Sequence, residues 1–307
     1  MRNTRRFVLG AFPLALAMLL GACGTGGDEQ PAGQAQQKGT LTVGVSAAFA
    51  ENQIVAEMYA QVLENAGYTV NRQLDIQSRE VSQPALESGK IDLKPEYLGT
   101  LLLFLDPDAQ ASGDPAEEAE QLDPLLERKG ITLLEFSRAN DTNAFVVTRQ
   151  TANRFGLKSM SDLEGVADRL TLGGPPECPE RPFCIPGVKR VYGVEFGKFE
   201  PIGACDSATA EALDAGRVDV ALLCSTQSII VDKGWVVLED DKDLQQADNI
   251  APVVRTAVLN EEITDLLNEV SARLTTQNII QLNKRVEIDK EDPSDVARDF
   301  LEQNGLL

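Results

Sequence analysis

The chain has 307 residues, a formal net charge of −20 and no histidine. Without histidine, a Ser-His-Asp triad, a Cys-His pair and a His-based zinc site are all excluded. The excess of 48 acidic over 28 basic residues sets the surface against nucleic acid and anionic lipid, and helps keep an exported domain in solution.

In chain order, Arg2, Arg5 and Arg6 precede an apolar run over residues 7–20, closed by Leu20-Gly21-Ala22-Cys23. The run is too short and wrongly flanked for a spanning helix, and residues 1–22 are expected to be a secretory signal peptide. A cysteine at the cleavage point resembles the bacterial lipobox, in which that residue is lipidated and becomes the mature N-terminus. Cys23 is therefore the expected lipidation site, against the rival of an ordinary signal peptide that happens to hold a cysteine. Loss of the three arginines takes the net charge from −20 to −23. Residues 23–39 are rich in Gly and Gln and read as a flexible tether. No later apolar run is long enough to cross a bilayer. The rest is expected outside the cell membrane, lipid-anchored on its extracytoplasmic side.

From Thr40 the pattern is α/β. Residues 40–45 form a β-branched strand. Residues 51–65 place Ile54, Val55, Met58, Tyr59, Val62 and Leu63 on one helical face, with Gly67 as a stop. A strand follows at 68–74, a helix at 82–88 and extended chain at 91–93. This repeated βαβ pattern implies a parallel sheet. A second block holds strands at 144–148, 170–172 and 218–223 and a helix at 208–213. Residues 250–254 then return as a strand, followed by helices at 262–275, 277–286 and 294–303. About 270 residues after the tether suit two domains rather than one. The expected lobes are 40–142 with 250–307, and 143–249, with a hinge near 140–144 and 241–251 and a ligand cleft between them.

With Cys23 lipidated, four cysteines remain, and free thiols do not persist in an oxidising compartment. Three connectivities are possible. Cys178 with Cys184, six apart in a proline-rich loop, and Cys205 with Cys224 is the expected one. Metal binding is the rival, but there is no histidine to assist and no CxxC spacing.

An ordered set of segments carries a resemblance. These are Phe49-Ala50-Glu51-Asn52-Gln53-Ile54, Pro95-Glu96-Tyr97-Leu98-Gly99-Thr100, Ser159-Met160-Ser161-Asp162-Leu163, Ser225-Thr226, Leu238-Glu239-Asp240-Asp241-Lys242, and Ala251-Pro252-Val253-Val254-Arg255. Together the chain resembles the osmoprotectant-binding proteins of glycine betaine, choline and carnitine ABC importers. The resemblance implies a type II periplasmic-binding-protein fold and no enzymatic activity. It implies a monomer that needs no cofactor or metal and hands a small solute to an ABC permease driven by its ATPase. In that family, aromatic rings hold the quaternary ammonium head, which cannot donate a hydrogen bond and is drawn to ring faces. Tyr97 and Thr100 match the family pattern, and Phe49 stands where it carries an aromatic residue. Asn143, Ala210 and Cys224 stand where rings are usual, and each missing ring costs about 0.5–2 kcal/mol of cation binding.

Phe49, Tyr97, Thr100, Asn143, Ser225 and Thr226 are thus the expected cleft residues. Glu51 is a further candidate, although a carboxylate at a helix start also serves the helix dipole. Arg181 either meets an anionic ligand or pairs with Glu180 or another acid. Asp92 and Glu96 resemble an acid-base pair but read better as structural hydrogen-bonding groups, and Trp235 reads as core. Two other functions compete: the same fold serving a polyol, a sugar-derived or an aromatic compound, and an extracellular enzyme. The enzyme is disfavoured by the missing histidine and the lack of a nucleophile elbow.

Overall fold

Strand β1 (Thr40–Ser46) is the one on which the first half of the molecule is built, because its apolar side chains are buried between helices and sheet. The structure is a computed structural model and describes residues 38–46, 49–109, 113–203 and 205–307. The expected signal peptide, Cys23 and nearly all of the tether lie outside the described residues.

After β1 come α1 (Ala50–Asn65), β2 (Thr69–Ile76), α2 (Arg79–Glu87), β3 (Leu93–Tyr97), α3 (Leu98–Leu105), α4 (Pro115–Glu127) and β4 (Ile131–Leu133). The second half opens with β5 (Asn143–Val147), α5 (Arg149–Phe155), β6 (Thr171–Gly174), α6 (Ile185–Tyr192) and β7 (Lys198–Pro201). It continues with α7 (Ser207–Asp214), β8 (Val220–Cys224), α8 (Ser228–Asp232) and β9 (Val236–Val237). The chain then returns as β10 (Ile250–Arg255), α9 (Glu261–Arg273), α10 (Thr276–Glu287) and α11 (Pro293–Gln303).

These elements make two five-stranded sheets, ordered β2-β1-β3-β10-β4 and β7-β6-β8-β5-β9. The parallel sheet expected from the βαβ pattern holds for β2-β1-β3 and β7-β6-β8, but each sheet is mixed. β10 runs antiparallel to β3 and β4, and β5 antiparallel to β8 and β9. The reason is where these strands enter. Ile250 opposes Tyr97, the last residue of β3, and Asn143 opposes Cys224, the last of β8. A strand arriving from the other sheet starts at the carboxyl end of its new neighbours and so must run against them. The two crossing segments lie side by side, with an antiparallel bridge between Asn140 and Asn249 and Asp141 N donating to Asp248 O at 3.0 Å.

Helix α1 is buried on almost every side, from Ile54 through Leu63, because α9, α10 and α11 all close over it. A fully buried Leu, Ile or Met contributes about 1.5–3 kcal/mol, so the C-terminal return is what completes the first core. In the second half, Phe145, Leu172, Val188 and Leu222 centre a separate cluster. Trp235 is only half-buried and packs at the edge of a smaller one. Disulfides join Cys178 to Cys184 and Cys205 to Cys224, with Cα separations of 5.3 and 4.9 Å.

Gly44 in β1 has no room for a side chain: a methyl group there would sit 2.5 Å from the Cδ1 and Cγ2 atoms of Ile91. Gly44→Ala is expected to destabilise the protein by about 1–3 kcal/mol, the usual cost of overpacking a core, measured as a lower urea midpoint with an unchanged slope. Glu118 of α4 is fully buried. Its Oε1 accepts from the amides of Gly113 and Ala247, while Oε2 has no partner. Burial, with Asp248 adding to it, pushes the carboxyl up to about 7 from 4.5. A group that holds its proton more tightly when folded supports the fold fully below pH 4.5, and that support fades as pH rises through 7. Glu118→Gln removes the titration. Its melting temperature is expected to gain on wild type by about 2 °C or more between pH 4.5 and 8.

Candidate functional site

Where the strand ends of the two sheets meet, a cavity of about 470 Å³ opens. Its first-lobe wall is set by β3. Residues 94 and 96 project from the same side of that strand, two apart, and carry Lys94 and Glu96 into the wall. Lys94 Nζ lies 2.6 Å from Glu96 Oε1 and 3.0 Å from Ser82 Oγ. Arg79, at the start of α2, meets the same carboxylate through Nη2 at 2.8 Å and Nε at 3.1 Å, and donates to Thr100 Oγ1 at 2.8 Å. Burial alone would raise Glu96, but Arg79 and Lys94 together bring it down to about 2. Burial lowers the Lys94 ammonium from its ordinary value in spite of Glu96. Asp248, on a crossing segment, accepts the amide of Thr100 at 2.8 Å, and burial pushes its carboxyl up to about 7 against the pull of Arg79.

The apolar part of the wall is aromatic. The rings of Phe49 and Tyr97 lie 6.0 Å apart at 41°, and Phe183 of the second lobe adds a third ring to the lining. The Tyr97 hydroxyl is committed elsewhere, 2.8 Å from Glu51 Oε1 and 3.0 Å from Asn52 Oδ1. Burial, with Glu51 beside it, holds that phenol well above its usual range, so it stays a donor. The second lobe supplies Asn143, Glu177 and Arg181, together with the Cys205–Cys224 bridge. The bridged loop between Cys178 and Cys184 carries both Arg181 and Phe183.

The expected residues divide into two groups. Phe49, Tyr97, Thr100, Asn143 and Arg181 line the cavity. Arg181 pairs across the cleft with Glu80 of α2 at 3.2 Å, not with Glu180, and its guanidinium lies 5.8 Å from the Phe183 ring centroid. Glu51, Ser225 and Thr226 stand behind the wall. Glu51 accepts from Thr226 Oγ1 at 2.8 Å and from Asn283 Nδ2 at 3.2 Å, besides Tyr97. Burial raises its pKa, and those three hydrogen bonds oppose the rise. Ser225 receives the Thr142 amide and donates to Asp141 Oδ1 at 3.2 Å. These three residues therefore join the lobes behind the site. Ala210 is buried in a second-lobe cluster.

Sequence reasoning did not select Arg79, Lys94, Asp141, Phe183 or Asp248, all of which line the cavity. For Phe183 a signal existed, its place beside a cysteine in a bridged loop. Asp141 stands two residues before Asn143, on the stretch already read as hinge. Asp92, as expected, is structural: it accepts from Thr42 N and pairs with Arg255. Among the described residues no group of three or more His, Cys, Asp or Glu is placed to hold a metal ion, and no helix is long and apolar enough to cross a membrane.

Comparison with known proteins gives this geometry its context. Residues 39–303 match the family described as the substrate binding domain of the ABC-type glycine betaine transport system. A glycine-betaine-binding protein of Pseudomonas aeruginosa is 30% identical over 296 residues, covering 90% of this chain and 91% of the relative. The glycine betaine-binding protein YehZ of Escherichia coli is 27% identical over 271 residues, 83% of this chain and 88% of that one. Among solved structures, one of a glycine betaine/carnitine/choline ABC transporter superposes with a TM-score of 0.67 at 24% identity, covering 87% of this chain and 99% of the other. Lactococcal OpuAC, closed on glycine betaine, gives 0.63 at 16% identity, covering 87% and 97%. The fold is the two-lobed type II periplasmic-binding-protein fold, and the relatives are solute-binding proteins, not enzymes. The chain belongs to the family of substrate-binding domains of ABC-type glycine betaine transport systems.

Proposed function

We propose that the protein captures a small cationic or zwitterionic compatible solute, of the glycine betaine and choline kind, and delivers it to the permease of an ABC importer worked by an ATPase. The observation that carries this reading is the cavity itself, walled by Phe49, Tyr97 and Phe183 and flanked by buried carboxylates. Ring faces and acids together suit an organic cation. The lobes 40–142 with 250–307 and 143–249 would close on the solute about the crossing segments. Arg181–Glu80 and Thr226–Glu51 would hold the closed form. Closure by a ligand requires that it bind the closed form better than the open one. Lipidation of Cys23 would keep the protein, as a monomer, at the outer face of the membrane beside its permease.

A second reading, the same fold given to a polyol, a sugar-derived or an aromatic compound, is favoured by one observation. Asn143 and the Cys205–Cys224 bridge, not further rings, line the second-lobe wall.

A thermal-shift screen separates the two readings. Glycine betaine, choline or carnitine at a hundred times its dissociation constant should add about 2.7 kcal/mol of stability. Tyr97→Ala should weaken such a ligand by about 2- to 30-fold, the worth of one ring. Silence to all three quaternary ammonium compounds, with a response to a polyol or sugar, would establish the second reading instead.

A further inference from the structure

We propose that Asp141 is a ligand-binding residue that accepts a hydrogen bond from the solute's cationic nitrogen, so that the cavity prefers cations bearing an N–H over quaternary ones. The inference rests on the interlobe cavity being the solute site, as proposed above, and names the class of cation that it selects.

Asp141 lies on the first crossing segment, lines the cavity and is only 3% exposed. Its two carboxylate oxygens are treated differently. Oδ1 accepts from Ser225 Oγ at 3.2 Å and from Thr226 N at 3.0 Å. Oδ2 is buried and has no hydrogen-bond partner. Leaving a buried carboxylate oxygen without a donor costs more than an ordinary hydrogen bond gains, so such an oxygen on a cavity-lining residue is a candidate acceptor for a ligand donor.

The protein does not supply the missing cation. The three basic side chains of the cavity are engaged with other acids: Arg79 and Lys94 with Glu96, and Arg181 with Glu80. Burial, with the neighbouring acids Glu51 and Asp248 adding to it, raises the pKa of Asp141 well above the usual carboxylate range, against two hydrogen bonds from Thr226.

The chemistry of the partner follows. A trimethylammonium group has no N–H and offers Oδ2 only C–H contacts, and it depends on rings for the rest of its binding. The same cavity wall holds Asn143 and the Cys205–Cys224 bridge, and the ring close enough for Asp141 to act on its phenol is that of Tyr97. A protonated tertiary, secondary or primary amine, or an amidinium, donates directly to Oδ2 and forms a charge-assisted bond. Sites built to hydrogen-bond a ligand group reject the analogue lacking it more strongly than apolar pockets discriminate by size.

The test compares ligands that differ by one methyl group. Calorimetric titration at pH 7 of the purified protein would pair N,N-dimethylglycine with glycine betaine, and N,N-dimethylethanolamine with choline. The member bearing an N–H should bind at least about tenfold tighter in one or both pairs. Asp141→Asn should abolish that preference, because Oδ1 stays held by Ser225 and Thr226 and the amide nitrogen takes the place of Oδ2. Equal or tighter binding of the quaternary members, or a preference that survives Asp141→Asn, would overturn the inference while leaving the solute site in place. Binding of no member of either pair would overturn the solute reading itself. The wild-type comparison decides the ligand preference even should the variant fold poorly.

Discussion

Glu51 is a carboxylate with almost no access to water and no basic partner among its hydrogen-bonding neighbours, and much of the cleft is arranged around satisfying it. Its donors come from three places: Tyr97 at the end of β3, Asn283 on α10, and Thr226 just after β8 in the other lobe. Tyr97 lines the cavity, so the same bond that satisfies the carboxylate fixes that ring in the cavity wall. Thr226 can donate only when the lobes are together. Parting the lobes would take that donor away but admit water, which replaces it. A hydrogen bond exchanged for one to water changes the free energy by only about 0.5–1.5 kcal/mol. If the lobes close on a solute as proposed, the contact would give closure a defined geometry without making it so favourable that the ligand becomes unnecessary.

The Arg79–Glu96–Lys94 cluster works on the same principle. Buried ion pairs rarely stabilise a protein relative to apolar groups of the same shape, because desolvation offsets their attraction. What this one supplies is position. Arg79 is fixed by Glu96 and Thr100, Thr100 by Asp248, and Asp248 belongs to a segment paired with Asp141 N. The floor of the cavity is thus one connected set of polar groups running from α2 through β3 to both crossing segments. Its cations are consumed within it. Among the described residues of the cavity lining, the buried polar group left without a partner is then an acid, Asp141.

How much of this could be read from the sequence depended on whether the information was local. β1, α1 and the three C-terminal helices were legible because their apolar periodicity reports the face they bury. Of α3 only the start was legible, as a strand-to-helix turn at Tyr97 to Thr100; its extent was not, because residues 101–105 form an unbroken apolar run without helical periodicity. α4 was hidden by its many acids. The antiparallel direction of β10 was illegible in principle, since it depends on the side from which the chain re-enters the sheet. In the cavity, Tyr97 and Thr100 belong to one short segment with a recognisable pattern. Asp141 and Asp248 take their roles from the pairing of two crossing segments distant in sequence, and no window on the chain holds both. Arg79 fell outside the helix expected at 82–88, which in fact begins at Arg79, and only the tertiary placement of Glu96 draws its side chain inward.

The two lobes hold their share of the site by different means. In the first lobe the working side chains project from β3 or the ends of α1, α2 and α3, where sheet and helix hydrogen bonds fix the backbone. In the second lobe much of the wall comes from irregular chain: Pro175, Glu177, Arg181 and Phe183 in one loop, Gly203 and Cys205 in another. Such backbone has few ladder bonds to hold it. Here each loop is closed by a disulfide, the first between Cys178 and Cys184, the second tying Cys205 to the end of β8. A covalent link restricts the loop whatever side chains it carries. The second-lobe wall can therefore change its chemistry without losing its shape, whereas a change on β3 disturbs the connected polar floor. Asn143 and a disulfide in the second-lobe wall, opposite Tyr97 and Thr100 in the first, are consistent with this asymmetry.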